Sequence, residues 1–166
     1  MARRWIRRHR LSEEALFSGT YGLVLASTLA AALDDPNERA DPGTDLLWLL
    51  FTVVAAAAAH GYARVIARRA TAGGAPARGR VRTVLAEWPL VAAALPTVGM
   101  QLAAVAHWWP ESTAVETALL FNTAALFGWG TWAARITGRT WPASCLAGSL
   151  DMVIGLAVIG ANAAFK

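Results

Sequence analysis

Five runs of mostly apolar residues, separated by short intervals that hold most of the charge, dominate this sequence. A helix crosses the hydrocarbon core of a bilayer with roughly 20 residues, and each run is long enough to do so. A water-soluble helix keeps one charged face along its whole length, and these runs do not. Of the 166 residues, 56% are hydrophobic and 16% charged, so composition overrides the usual prior of one soluble domain. The expected fold class is therefore all-α: a polytopic membrane bundle of five transmembrane helices.

The expected spans are 13–33, 46–67, 83–106, 113–134 and 142–165, preceded by a basic segment over residues 1–12. Arg3, Arg4, Arg7, Arg8 and Arg10 open the chain. The run behind them is too long for a typical signal-peptide core and includes Ser18, Tyr21 and Ser27, so it reads as a retained span. Asp34 to Asp45 form an acidic loop broken by Pro36, Pro42 and Gly43. The second loop is basic, with Arg68, Arg69, Arg78, Arg80 and Arg82. His107 to Ser112 make a short turn, and Arg135 and Arg139 stand in the fourth loop. Basic residues are retained on the cytoplasmic side, so this alternation predicts the N-terminus in and the C-terminus out. Trp48, Trp88, Trp108, Trp109 and Trp141 fall near span ends, as aromatic belts do. Pro89 and Pro96 lie within the third span and predict kinks.

The net charge of +4 does not point to nucleic acid, because the arginines lie where membrane topology wants them. Cys145 is the only cysteine, so neither an intramolecular disulfide nor a cysteine metal cage is available. The chain holds no nucleophile elbow, phosphate-binding glycine loop or metalloprotease histidine pair, so neither an enzyme nor a cofactor is expected. Two stripes at spacing four would let helices approach closely: Ser18, Gly22, Ala26 and Ala30, and Ala55, Ala59, Ala63 and Ala67.

Ionisable groups in lipid are expensive and face a bundle interior or a cavity. Those within the spans are His60, Arg64, Glu87, Glu116 and Asp151, joined by Tyr21, Gln101, Asn122 and Asn162. At about 1.5 Å per residue, Arg64 and Glu87 both lie roughly 5 Å inside the cytoplasmic boundary, and His60, Tyr21 and Asp151 roughly 10–12 Å inside. Arg64 and Glu87 are the candidate structural ion pair. His60, Asp151 and Tyr21 are the candidate polar site, where imidazole and carboxylate would handle a proton or cation. The alternative is that all five cross-link helices or, for Arg64, snorkel to the headgroups.

Two segments carry a resemblance. Phe17-Ser18-Gly19-Thr20-Tyr21-Gly22-Leu23-Val24 resembles the first-helix signature of the vacuolar iron transporter (cross-complements-calcium) family. Leu126-Phe127-Gly128-Trp129-Gly130 through Arg135-Ile136-Thr137-Gly138-Arg139-Thr140-Trp141 resembles that family's fourth helix and the loop behind it. The resemblance implies five spans, a cytoplasmic N-terminus and transport of a small ion or solute. Tyr21 stands where the family has a metal-handling aspartate, Ala55 to Ala59 replace the expected methionine region, and a basic loop replaces the acidic insertion. Divalent metal needs ligands of the kind lost, so iron transport does not carry over residue by residue and the metal is unknown. Tyr21-Gly22 and Ala59-His60-x-Tyr62-Ala63 also make the chain similar to a group of uncharacterised small actinobacterial membrane proteins. A transporter-like bundle in a bacterial plasma membrane, assembled as a homodimer because five spans enclose little pathway, is one expectation. A non-transporting structural, regulatory or partner-binding membrane protein is the other.

Overall fold

The computed structural model describes residues 2–33, 41–72 and 87–165, with side chains placed over 15–33, 41–67 and 87–164. The side chains of the basic segment, much of the acidic loop, and the second loop with Arg78 lie outside the described residues. Among the described residues five helices form: α1 (Ala2–Leu33), α2 (Pro42–Ala72), α3 (Trp88–Val105), α4 (Glu111–Ile136) and α5 (Trp141–Phe165). Helix α1 begins at Ala2, within the basic segment.

Four of these, α1 over Ala15–Leu33, α2 over Pro42–Ala67, α3, and α5 over Trp141–Ala164, are long and apolar enough to cross a membrane. Helix α4 is long enough at 26 residues, but it is not among the apolar four. Its sequence explains why: Thr117, Asn122, Thr123, Thr131 and several glycines and tryptophans dilute its aliphatic content. Of these, Asn122 and Thr123 are buried, where α1, α3 and α5 all pack on α4.

The contacts set the helix directions. Arg64 and His60 of α2 meet Ser18 and Tyr21 of α1 in reverse order, so α2 runs against α1. Glu87, which caps the start of α3, and Thr97 within it lie level with Ser18 and with Ser27, the latter through Asn122, so α3 runs with α1. Trp129 reaches Leu16 while Asn122 reaches Ser27, and Gly148 and Gly155 of α5 lie on Thr131 and Thr123 of α4. The bundle is up-down-up-down-up.

Lipid tails are as apolar as leucine, so packing in a membrane rests on close fit rather than on exclusion of water. The first small-residue stripe supplies that fit. Ser18, Gly22, Ala26 and Ala30 are all buried, and a methyl group on Gly22 would collide with the Leu90 carbonyl of α3. The second stripe does the reverse: Ala55, Ala59, Ala63 and Ala67 are all exposed, and α2 packs through Leu46, Leu49, Val53 and Val65 instead. A cluster of Ala26, Leu49, Val53, Leu90 and Ala94 joins the first three helices. A third stripe, on α5, seats Gly148 and Gly155 against α4, so tightly that a Cβ on Gly148 would strike the Phe127 carbonyl and the Thr131 hydroxyl.

Helices α3 and α4 end alike. Trp108 N–H donates to Ala103 O and His107 N–H to Ala104 O; Arg139 N–H donates to Ala134 O and Gly138 N–H to Arg135 O. This is the Schellman closure, which needs one residue at positive φ, supplied by His107 (57°) and Gly138 (83°). Pro96 is inside α3, whereas Pro89 sits in its first turn, where a missing N–H costs no helical bond. The kink expected at Pro89 is thus replaced by a helix start. The five belt tryptophans are all exposed.

Candidate functional site

Polar side chains gather at three levels of the bundle. At the first, Arg64 Nε lies 3.0 Å from Glu87 Oε1, Ser18 Oγ donates to Glu87 Oε2 at 2.7 Å, and Arg64 Nη2 donates to Ser18 Oγ at 3.2 Å. Glu87 is fully buried, while the Arg64 side chain is 21% exposed. The Nε contact is close in distance but lacks hydrogen-bond alignment, since Oε1 has no hydrogen-bond partner. Attraction between charges and the Ser18 bridge therefore hold this triad, which ties α1, α2 and the start of α3 together.

One turn deeper, the His60 ring lies 4.5 Å from the Tyr21 ring and 6.0 Å from that of Phe17. Phe17 and Tyr21 are one turn apart on α1 and both exposed, so this is an aromatic stack on the outer flank of the α1–α2 pair. Asp151 is elsewhere. It lies on α5 with its carboxylate over Gly130 of α4, beside Gly148. No hydrogen bond or ion pair joins it to His60 or Tyr21 among the described residues. Helix α2 packs on α1 and α3, and α5 packs on α4 and α1, so α1 stands between the two. Three expected site residues thus separate into an aromatic pair, His60 with Tyr21, and a carboxylate in a different interface. Equal depth did not bring them to one side.

The third level was not anticipated as a site. Asn122 of α4, fully buried, donates from Nδ2 to Ser27 Oγ at 3.0 Å and to Thr97 Oγ1 at 2.8 Å. Ser27 in turn donates to the Leu23 carbonyl at 2.8 Å. This node joins α1, α3 and α4. Asn122 stood out as a polar residue in a span, but hydroxyls return bonds to their own helix so readily that Ser27 and Thr97 gave no signal. Ser18 was legible only as a small residue. Gln101 is buried with its Oε1 unpaired, and Glu116 is exposed.

Between α1, α3 and α4 a cleft of about 320 Å³ is lined by Gly19, Leu23, Trp88, Ala92, Phe121, Trp129 and their neighbours, with no ionisable side chain among them. Trp129 forms one wall; its Nε1 donates to the Leu16 carbonyl at 3.1 Å, and its ring occupies the space that a side chain on Gly19 would fill. Among the described residues no three His, Cys, Asp or Glu side chains converge as metal ligands would. Chemically, the arrangement can hold helices together at two depths and receive an apolar group between three of them. No family model matches this chain, and no curated protein or solved structure matches it either.

Proposed function

We propose that this chain is a five-span integral membrane protein of a bacterial plasma membrane, N-terminus inside and C-terminus outside, whose intramembrane polar groups are helix cross-links. On this reading it is a non-transporting, non-catalytic membrane subunit. The observation that carries it is the state of Glu87: fully buried, facing Arg64 and bonded by Ser18 rather than lining a passage. Support for five spans comes from the alternating helix directions and from α4, whose Asn122 bonds α1 and α3. Orientation rests on the loop arginines.

Topology is tested with single cysteines at positions 41 and 78 in a Cys145→Ala background, probed in intact cells with an impermeant thiol reagent. Label at 41 alone is expected; label at 78 overturns the orientation. The background change is needed because Cys145 is exposed.

One observation favours the other reading, a divergent relative of the vacuolar iron transporters. The Asp151 carboxylate lies in a span without a basic partner among the described residues, as a group handling a proton or cation would. Flux in proteoliposomes that Asp151→Asn abolishes, with the fold intact, would replace the cross-linking reading with transport. An Asp151→Asn protein indistinguishable from the parent would uphold it.

A further inference from the structure

The cleft between α1, α3 and α4 is more than a gap in packing. Its floor is made of small residues, Gly19, Ala92, Ala93 and Ala125, and its walls of Trp88, Phe121 and Trp129. A void enclosed by side chains forfeits dispersion contacts along its whole lining. Three aromatic walls around a small-residue floor are the reverse of what simple helix packing selects. The wall at Trp129 is pinned to α1 by its bond to Leu16, so it does not collapse inward. Trp88 and Phe121 at the rim are exposed. The cleft therefore opens sideways, from apolar helices, toward whatever surrounds them.

The lining also spans a break in the helical hydrogen-bond ladder. Pro96 sits inside α3 and has no N–H, so the carbonyl four residues earlier, that of Ala92, loses its helical donor. Both residues line the cleft. A volume of about 320 Å³ is at the small end of the range for ligand pockets, roughly 300–1,000 Å³. That suits one slender apolar chain better than a fused-ring molecule. We propose that this cleft is a binding site for the hydrocarbon chain of a bilayer lipid, entered sideways past Trp88 and Phe121. The lining carries no charge to hold a headgroup, so the site grips the tail. The inference rests on the membrane placement alone and is independent of whether the polar clusters cross-link or transport.

The test is photolabelling of the intact chain in vesicles of a phospholipid carrying a diazirine on its acyl chain, with the label mapped by peptide. Label concentrated on cleft residues of α1, α3 and α4, and lost in Ala125→Phe, is expected; Val153→Phe, on an exposed face of α5, should leave it unchanged. Ala92→Leu is the second cleft-filling variant should Ala125→Phe fail to fold, and the map of the unaltered protein decides the matter if neither folds. Label spread evenly over exposed positions such as Val54 and Val153 overturns the cleft site. Absence of label anywhere overturns the membrane placement instead. Native mass spectrometry of detergent-purified protein gives an independent readout. Retention of one lipid per chain, lost in the cleft-filling variants, is expected; equal retention in parent and variants refutes the proposal.

Discussion

Removing either charge of the Arg64–Glu87 pair should destabilise the bundle, but not equally. Breaking a buried ion pair by removing one partner costs about 3–5 kcal/mol, mostly because the remaining charge is stranded. Glu87 is fully buried and at the start of α3, so the carboxylate left behind by Arg64→Gln has no route to water. The Arg64 side chain is 21% exposed, and a long arginine can move its head toward the interface. Arg64→Gln should therefore fall near the upper end, about 4–5 kcal/mol, and Glu87→Gln near the lower end, about 3 kcal/mol or less. The double variant strands no charge and lets two amides meet Ser18, so it should recover about 2–3 kcal/mol relative to the sum. Ser18→Ala removes one bridge and should cost about 1 kcal/mol, in line with interhelical hydrogen bonds measured in membranes. The assay is reversible unfolding in mixed micelles, followed by tryptophan fluorescence. Additivity of the two charge changes within about 0.5 kcal/mol would show that the residues do not interact. A larger loss for Glu87→Gln than for Arg64→Gln would refute the reasoning from burial.

Asn122→Ala removes two interhelical bonds, but Ser27 already donates to its own helix, so the cost should be about 1–2 kcal/mol in the same unfolding assay. Gly148→Val drives a branched side chain into the Phe127 carbonyl and Thr131, and should cost about 1–3 kcal/mol or part α5 from α4, seen as a lower melting temperature. At the mouth of α2, the Thr44 hydroxyl and then its N–H bond the Asp41 carboxylate and hold it below the usual carboxylate range. A depressed folded value means this support is complete above the unfolded value, roughly 3.9, and is lost as pH falls through the lower folded one. Amide exchange in the first turn of α2 should accordingly quicken at strongly acidic pH, and Asp41→Asn should remove that pH dependence.

Depth along a span is a linear quantity, and the sequence carries it well. Counting at 1.5 Å per residue sets Arg64 and Glu87 at one level, and they lie 3.0 Å apart. The angle around the bundle is another matter. The same count gives His60 and Asp151 a similar depth, but they belong to helices that pack on different neighbours, and no count along the chain distinguishes that from contact. Partner hydroxyls are hidden for a different reason. Ser18, Ser27 and Thr97 resemble any small residue in a membrane helix until a neighbouring carboxylate or amide is known to face them. The two small-residue stripes had the same spacing, yet one is buried and the other exposed, because α2 also carries a leucine and valine face that fits its neighbours.

On the five-span reading proposed above, helix α4 would separate hydropathy from membrane residence. Outer helices must satisfy lipid over most of their surface, and α5, with Leu146, Leu150, Val153, Ile154 and Leu156 exposed, does so with aliphatic residues. A helix packed by three others is held in part by those contacts, so affinity for hydrocarbon need not act alone. Asn122, Thr123, Gly130 and Ala134 are all buried there. Central position alone does not set apolarity, since α1 touches all four other helices and is still among the apolar four. Asn122, Thr123 and Gly130, which weaken its hydropathy signal, are among the residues that join it to α1, α3 and α5, so replacing them with leucine would strengthen the signal while loosening the bundle.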